Sequence, residues 1–241
     1  MNRLYPLKVG DFVEPEPRII YLGDCDKTML LGNFFFLIQG TNGSLLVDTG
    51  VTKSDADRFN ASMVQQPADD PFAQLDKFGV SLESIEIVIA THLHWDHVSP
   101  AILAMPNARL YVDRREIDSV VNPPHPWFAE FVYTEVLDQL LRDNRIVYTR
   151  DGDDIAGGIS VMSTPGHTLG GQSVVVQTAR GNAVVTGDVC FTYRNLEEDR
   201  PVGFNCGLVD CFASLERIRR RADIVLPSHD LSVLERLPDG V

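Results

Sequence analysis

Short apolar runs, each ending at a polar or charged residue, recur along the chain and predict the strands of an α/β protein. Runs rich in Val, Ile, Leu and Phe that are bounded by Gly, Asn, Asp or Pro are typical of buried strands. They lie at 18–22, 33–39, 45–47, 85–90 and 109–112, and again at 159–163, 173–178, 182–186 and 224–226. The preceding residues, 1–17, are rich in Pro and charge and are expected to form an irregular lead-in.

Segments with helix signals separate these runs. The predicted helices lie at 54–65, 101–105, 127–141 and 211–221. The first of them has Ser54 in the place of a helix cap, followed by acidic residues in its first turn. A hairpin turn is expected at 41–44. Residues 122–126 contain three prolines and are expected to be irregular.

Length and composition indicate one globular domain. The chain has 241 residues, 44% of them hydrophobic and 23% charged, which is enough apolar material for a sizeable core. No linker-like stretch divides it, so residues 1–241 are predicted to form a single domain. The formal charge is −13, and phosphate binding needs clustered cations, so a nucleic-acid partner is not expected.

The sequence also suggests a compartment. The first residues lack the apolar core of a secretory signal. The longest apolar cluster, at 34–38, is much shorter than the roughly 20 residues of a membrane-spanning helix. None of the four cysteines forms a Cys-x-x-Cys pair. We therefore expect a cytoplasmic protein with reduced thiols and no membrane partner.

The densest chemistry follows the run at 85–90, in the motif His92-x-His94-x-Asp96-His97. Imidazole suits zinc, iron and copper, and a carboxylate adds a hard oxygen ligand. In an extended chain His92 and His94 project to the same side and can share one ion. Asp96 and His97 are sequence neighbours, so they are better placed to serve a second ion as the chain turns away.

Further candidate ligands also follow predicted strands. His167 comes directly after the run at 159–163, Asp188 after the run at 182–186, and His229 after the run at 224–226. Open α/β sheets collect ligand sites at the carboxyl ends of their strands. A single histidine in such a position is usually structural, but five of the six histidines follow this pattern and only His125 does not. The pattern favours a metal site.

Taken together, these motifs resemble the metallo-β-lactamase superfamily. The opening motif, then Gly166-His167-Thr168, Gly187-Asp188 and finally His229 occur in the order and approximate spacing of that family, from about residue 18 to 230. The resemblance implies an αββα four-layer sandwich of two similar halves, with the metal site at one edge.

The resemblance also implies a two-metal site. The ligands of the first ion would be His92, His94 and His167. The ligands of the second would be Asp96, His97 and His229. Asp188 would bridge the two ions together with a hydroxide, and Asp96 could relay a proton to the leaving group. Zinc is the metal that the resemblance favours, with iron or manganese as alternatives. Asp48, in an Asp-Thr-Gly turn, is expected to orient a ligand imidazole, to shape the turn, or both.

Within the superfamily, the lead-in at 75–85 and the Ser-His-Asp ending are similar to N-acyl-homoserine lactonases and 4-pyridoxolactonase. Those enzymes carry a Tyr three residues after the bridging Asp, where this chain has Phe191. A donor to the developing oxyanion is therefore missing at that position. Tyr193 is predicted to replace it as a catalytic residue.

The leading hypothesis is a dinuclear zinc hydrolase in which a metal-bridging hydroxide attacks the carbonyl of a small lactone or related cyclic ester. A cyclic amide or an acyl thioester is the alternative substrate. A mononuclear iron persulfide dioxygenase and a non-enzymatic ligand-binding protein are the alternatives from other classes. The Pro-rich segment with His125 and Trp127 could form a lid over the pocket. A homodimer is a further possibility that the sequence leaves undecided.

Overall fold

Two β-sheets stack face to face, and helices cover the outer face of each in the computed structural model, which describes residues 1–40 and 43–241. The larger sheet has the strand order β4-β1-β2-β3-β5-β6-β7, and the smaller has the order β12-β11-β10-β9-β8. This is the αββα sandwich that the sequence predicted. None of the helices in the described ranges has the length and apolar character needed to cross a bilayer.

The strands of the larger sheet are Arg3–Pro15 (β1), Thr28–Gly40 (β2), Gly43–Val47 (β3), Met63–Val64 (β4), Ile87–Ile89 (β5), Arg109–Asp113 (β6) and Ile146–Thr149 (β7). Those of the smaller sheet are Asp154–Ala156 (β8), Ile159–Ser163 (β9), Gln172–Thr178 (β10), Gly181–Val185 (β11) and Ile224–Leu226 (β12). The α-helices are Glu16–Ile19 (α1), Lys53–Arg58 (α2), Pro71–Lys77 (α3), Arg114–Val121 (α4), Thr134–Arg142 (α5), Tyr193–Glu197 (α6), Leu208–Arg221 (α7) and Ser232–Arg236 (α8). Short 3₁₀ helices lie at Pro67–Asp69, Leu82–Ser84, Pro100–Ala104, Pro126–Ala129 and Gly187–Val189.

The apolar run in β2 packs into two different layers. Successive side chains of a strand point to opposite faces of the sheet. Phe34 and Phe36 therefore enter the core between the two sheets, while Phe35 and Leu37 enter the core under the helices. All four are fully buried. A strand buried on both faces reads as a continuous apolar run, which is why this segment was recognisable in the sequence.

Near the N-terminus the sequence-based expectations were wrong. Residues predicted to be an irregular lead-in form β1, which pairs with β2 along its length. Its other side pairs only with the two-residue β4, so Pro6 costs no hydrogen bond on that side. The structure has no strand at 18–22, where one was predicted, because helix α1 occupies Glu16–Ile19. Pro17 in the first turn suits a helix start.

Other elements differ in length. The helix predicted at 54–65 ends at Arg58, and the one predicted at 127–141 divides into a 3₁₀ turn and α5. Helix α4 and strand β7 were not predicted. The hairpin turn predicted at 41–44 falls partly on residues 41 and 42, which lie outside the described residues. The strands at 159–163, 173–178, 182–186 and 224–226 were predicted to within one or two residues.

Parallel pairing sets the position of the site. Strands β3, β5 and β6 run parallel to one another in the larger sheet, and β11 and β12 are parallel in the smaller one. Parallel neighbours end at the same edge of a sheet. The segments that follow β5, β11 and β12 therefore emerge together, and these segments carry the candidate ligands.

Candidate metal centre

Seven side chains converge where the strands end, and they form two groups. The first group is His92, His94 and His167, and the second is Asp96, His97, Asp188 and His229. Within each group, one ligand atom from every residue lies within 4.8 Å of the others. These are the seven residues that the sequence singled out as metal ligands, and the fold brings all of them together.

In the first group the atoms face one another closely. His94 Nδ1 lies 3.1 Å from His92 Nε2 and 3.0 Å from His167 Nε2. Three imidazole nitrogens at this separation have the chemistry of a three-histidine cation site. The segment after β5 positions His92 and His94, and the Gly166-His167 turn after β9 positions His167.

Asp188 faces both groups with different oxygens. Its Oδ1 lies 3.0 Å from His97 Nε2 and 3.0 Å from His229 Nε2. Its Oδ2 lies 3.8 Å from His92 Nε2 and 3.6 Å from His167 Nε2. A carboxylate in this position could ligate one ion with each oxygen, and the bridging role that the resemblance implies for Asp188 stays a prediction.

Three buried atoms of the second group form no well-aligned hydrogen bond with any described residue, although Asp188 Oδ1 lies 3.0 Å from each of the other two: His97 Nε2, Asp188 Oδ1 and His229 Nε2. Buried polar atoms are almost always paired, so each unpaired atom needs a reason. All three point at the same place, and Asp96 Oδ2 lies 3.6 Å from the first and 3.8 Å from the last. A divalent cation bound there would satisfy all of them at once.

The ring nitrogens that face away from the site are held by hydrogen bonds. His97 Nδ1 lies 2.7 Å from Asp48 Oδ2, His167 Nδ1 lies 2.7 Å from the Phe204 carbonyl, and His229 Nδ1 lies 3.0 Å from the Gly32 carbonyl. Each acceptor places the proton on Nδ1 and leaves Nε2 free to bind a cation. The orientation and tautomer of these rings are thus built into the fold.

Comparison with known proteins agrees with this geometry. A sequence profile of the Metallo-beta-lactamase superfamily matches residues 30–229, which is most of the chain and includes every one of the seven ligand candidates. The chain belongs to the metallo-beta-lactamase superfamily. The predictions of the fold and of a metal-dependent hydrolase are confirmed by this membership.

Curated relatives of the superfamily include an N-acyl homoserine lactonase of a Bacillus species, 26% identical over 213 residues that cover 81% of this chain and 80% of the relative. The N-acyl homoserine lactonase AttM of Azorhizobium caulinodans is 29% identical over 163 residues, or 63% of this chain and 59% of that protein. Among solved structures, a quorum-quenching N-acyl homoserine lactone lactonase superposes with a TM-score of 0.83 at 21% identity, covering 99% of this chain and 98% of that one.

The two groups differ in how they hold protons. In the first, burial and the neighbouring histidines lower the pKa of His92 and of His94 well below the ordinary value, and burial lowers the pKa of His167. In the absence of a cation these rings are neutral at physiological pH. A neutral imidazole is the form that binds a metal ion, so the first group needs to lose no proton on binding.

The second group behaves in the opposite way. Burial lowers the pKa of His97, but the carboxylates of Asp188, Asp96 and Asp48 outweigh the burial and raise that pKa well above its ordinary value. The pKa of His229 is raised for the same reason, chiefly by Asp188. Burial alone raises the pKa of Asp188, yet His229 and His97 hold it well below its usual range. A cation bound here displaces protons from the histidines.

Asp48 combines the two roles considered from the sequence. It has a positive φ of 62° directly after β3 and is fully buried. Its Oδ1 accepts the Thr91 backbone N–H at 2.8 Å, and its Oδ2 lies 3.0 Å from the Thr91 hydroxyl as well as near His97. It therefore shapes the turn and orients a ligand ring with one side chain.

Glu116, which sequence reasoning missed, links the two loops of the first group. It lies in α4 and is 2% exposed. Oε1 accepts the Leu93 N–H at 3.2 Å, and Oε2 accepts the Gly170 N–H at 2.8 Å. Leu93 lies between two of the histidines, and Gly170 follows His167 by three residues. A glutamate on an unpredicted helix gave no signal in the sequence.

A largely aromatic pocket opens over the two groups. Its apolar walls include Phe12, Phe59, Trp95, Phe131 and Phe204. Trp127, from the Pro-rich segment, packs edge-on against Phe131 and Phe204, at 5.8 and 5.4 Å between ring centroids, and the lid suggested for this segment stays a prediction. His125, in contrast, is exposed and caps the turn that begins at Pro126. An apolar wall around a polar floor suits a small, mostly uncharged ligand.

Phe191 lies on the floor of this pocket, but Tyr193 does not. The Phe191 ring lies 4.6 Å from that of His229 and 5.6 Å from that of His167. The Tyr193 hydroxyl donates to the Val225 carbonyl at 2.9 Å, and its ring packs in the core between the sheets. The predicted role of Tyr193 as oxyanion donor is therefore not supported by its position. Two residues after Phe191 the chain has entered α6, which turns the side chain away.

Proposed function

We propose that this protein is a dinuclear zinc hydrolase that opens the ring of a small lactone. The observation that carries the proposal is the complete donor set, in which Asp188 faces two separate groups and three buried atoms lack any other partner. The relatives named as N-acyl homoserine lactonases support the substrate class. A solved structure described as a dizinc quorum-quenching lactonase, with a TM-score of 0.73, supports the fold that carries such a site.

The residues that would hold the ions are those of the two groups, with Asp188 shared between them. Two bound divalent ions would supply a hydroxide nucleophile at neutral pH and polarise the substrate carbonyl. The second group is more acidic, because it contains both aspartates, and the first consists of neutral imidazoles. The chain thus provides two cation sites of different charge.

Residues near the two groups would supply proton transfer and an apolar environment. Asp96 is the most exposed ligand of the second group, with 16% of its side chain accessible, and it borders the pocket. It is placed to pass a proton to the alkoxide that leaves when the ring opens. Trp95, Phe131 and Phe204 keep water from the rest of the pocket and favour an apolar substituent on the lactone.

The test is proton release in a pH-stat, using zinc-loaded protein with acyl-homoserine lactones, an aromatic lactone, a cyclic amide and an acyl thioester. We expect a lactone to be hydrolysed with kcat/KM above about 10⁴ M⁻¹s⁻¹, within the ordinary enzyme range. Replacing Asp188 with Ala should abolish turnover and reduce the bound zinc. Full activity of Asp188→Ala would refute the assignment of the site.

Phe191 favours a second candidate substrate class. Lactonases of the kind this sequence resembles have a tyrosine at this position, and here a ring without a donor lines the pocket. An acyl thioester, whose thiolate leaves readily and which therefore depends less on an oxyanion donor, fits this floor, and a cyclic amide is the other alternative. Turnover of these compounds with no turnover of lactones would establish that alternative. Iron in the purified protein, together with oxygen uptake, would instead establish a dioxygenase.

A further inference from the structure

A single cationic side chain lines the aromatic pocket, and the site described so far does not use it. Among the described residues around the pocket, Arg18 in α1 is the only lysine or arginine. Its side chain is 48% exposed, so a bound molecule can reach the guanidinium. The chain as a whole carries a formal charge of −13. A local positive charge at the pocket attracts a negatively charged group that the rest of this acidic molecule repels.

The guanidinium lies one aromatic ring away from the metal centre. Its Cζ lies over the ring of Phe204, 4.9 Å from the ring centroid. The centroid of the same Phe204 ring lies 5.9 Å from that of His94 and 5.5 Å from that of His167, two ligand candidates of the first group. A lactone held at the two groups therefore needs only a short side chain to bring a substituent to Arg18.

The backbone of Arg18 is fixed against the segment that carries Phe204. The Phe204 N–H donates to the Arg18 carbonyl at 2.8 Å. The preceding Gly203 lies so close to α1 that a Cβ added to it would be 1.7 Å from the Pro17 carbonyl oxygen. This hydrogen bond and this close approach hold α1 beside the pocket, so the guanidinium starts from a defined position.

The Arg18 guanidinium is paired only in part. Its Nη1 lies 3.3 Å from Glu14 Oε2, which is the one ionic contact that Arg18 makes with the described residues. A guanidinium has five N–H donors, so one contact leaves several donors for a ligand. The Glu14 side chain is itself 23% exposed, and partly exposed ion pairs contribute little to stability. A carboxylate that enters the pocket can therefore compete with Glu14 for the guanidinium.

We propose that Arg18 is a specificity-determining residue that binds a carboxylate on the substituent of the lactone, in competition with Glu14. The inference rests on the proposed function and deepens it by naming a charge on the substrate. A planar guanidinium matches a carboxylate in a two-point contact. The apolar walls of the pocket take the stem of the substituent, and Arg18 takes its charged end. This charge separates the substrate from an N-acyl homoserine lactone, which is a neutral molecule.

The experiment compares two lactones whose side chains end in a carboxylate or in a primary carboxamide, which has nearly the same shape and no charge. The pair is made in a short series of chain lengths and assayed with the zinc-loaded protein in a pH-stat at low salt. At the best chain length we expect the kcat/KM of the wild-type protein to favour the carboxylate by about 5–10-fold, as for a partly exposed charge pair with two-point geometry. Added salt should reduce this preference, because salt screens exposed charges.

Charge variants of the ion pair separate the charge from the packing. In Arg18→Met, which keeps an unbranched stem, the ratio of the two kcat/KM values should fall to 1 or below, because Glu14 alone then faces the carboxylate. In Glu14→Gln the ratio should rise above the wild-type value, because the competing carboxylate is gone. Arg180→Met, at the exposed turn between β10 and β11, is the matched control and should keep the wild-type ratio. Circular dichroism and melting curves identify any variant that does not fold.

A wild-type ratio near 1 at every chain length, or an unchanged ratio in Arg18→Met, would overturn the proposal. If the wild-type protein hydrolyses neither lactone, the proposed function fails, and calorimetric binding of the corresponding unreactive cyclopentanones to the zinc-loaded protein decides the role of Arg18. A Kd that favours the carboxylate ketone by about 5–10-fold, with the preference lost in Arg18→Met, supports it. Equal or undetectable binding of the two ketones by the wild-type protein overturns it.

Discussion

Asp48→Asn is expected to weaken the second metal site by changing the tautomer of His97. In the wild-type protein Asp48 Oδ2 lies 2.7 Å from His97 Nδ1, and Oδ1 accepts the Thr91 N–H at 2.8 Å. An asparagine keeps its oxygen toward Thr91 and therefore turns its N–H₂ toward His97. Two donors then face each other, and the ring proton moves from Nδ1 to Nε2. On Nε2 it points at Asp188 Oδ1, 3.0 Å away, where a cation should bind.

The expected size of the effect can be reached in two ways. A hydrogen bond to a charged group contributes about 1.5–3 kcal/mol, and all of it is lost here because the donor faces a donor. Removing a group that orients a metal-binding histidine typically costs about 10–100-fold in metal affinity, which corresponds to about 1.4–2.7 kcal/mol. The two ranges agree. The first site, which has no contact with Asp48 through its three ligands, should keep its affinity.

Zinc affinity is measured by competition with a fluorescent chelator, and total zinc by elemental analysis. We expect two ions per wild-type chain, and for Asp48→Asn one tight ion and one that is weaker by about 10–100-fold. Asp113→Asn, at a buried aspartate that caps α4 and has no contact with the cluster, is the control for a buried Asp-to-Asn change. Two ions bound to Asp48→Asn with wild-type affinity would refute the tautomer argument.

Further predictions concern the pocket floor, the loops and the protons of the site. Phe191→Tyr adds a hydrogen-bond donor to the pocket floor and should raise the steady-state kcat on lactones by about 10–100-fold, below the 10²–10³ of an evolved oxyanion donor. The control, Phe212→Tyr, adds the same hydroxyl at an exposed position and should leave kcat unchanged. An unchanged kcat in Phe191→Tyr would show that Phe191 does not face the reacting carbonyl. In Glu116→Gln the side-chain N–H₂ faces either the Leu93 or the Gly170 backbone N–H, which is also a donor. The zinc affinity of the first site should therefore fall by about 10-fold in the chelator competition. An unchanged affinity would show that Glu116 only fills space. Zinc at about 1,000 times its Kd stabilises the folded chain by about 4 kcal/mol, so removing it should lower the melting temperature by about 8–16 °C. Equal melting temperatures of the zinc-loaded and zinc-free protein would contradict a structural contribution of the metal. The raised pKa values of His97 and His229 mean that protons compete with the second ion, so its affinity should rise with pH up to those raised pKa values and then level off. A second-site affinity that falls as the pH rises through neutrality would contradict the assignment.

The clustering of the candidate ligands could be predicted from the sequence because their signal is local. Each of His92, His167, Asp188 and His229 comes directly after a strand, and strand ends gather at one edge whatever the details of packing. The side chains that support the ligands gave no such signal. Glu116 links two loops that are distant from it in sequence, and nothing within a few residues of Glu116 indicates those contacts.

The errors in the fold have related causes. Strand β1 contains Pro6 and Pro15, which weaken a prediction based on local preference, but both lie in register with β2, opposite Phe36 and Thr28, and away from the positions that pair with β4. Tyr193 was expected at the site because it follows Phe191 closely in sequence. A helix begins between them and the side chain points into the core, so closeness in sequence did not become closeness in space.

The distribution of ligands over the chain has a consequence for how the protein matures. Both groups combine residues that follow β5, in the larger sheet, with residues that follow β9, β11 or β12, in the smaller one. Neither site exists until the two sheets have docked, and a bound ion then ties one sheet to the other. Metal binding is therefore expected late in folding, after the two sheets have docked. A chain that has formed only the larger sheet has two of the three residues of the first group and two of the four of the second, an incomplete ligand set for either ion.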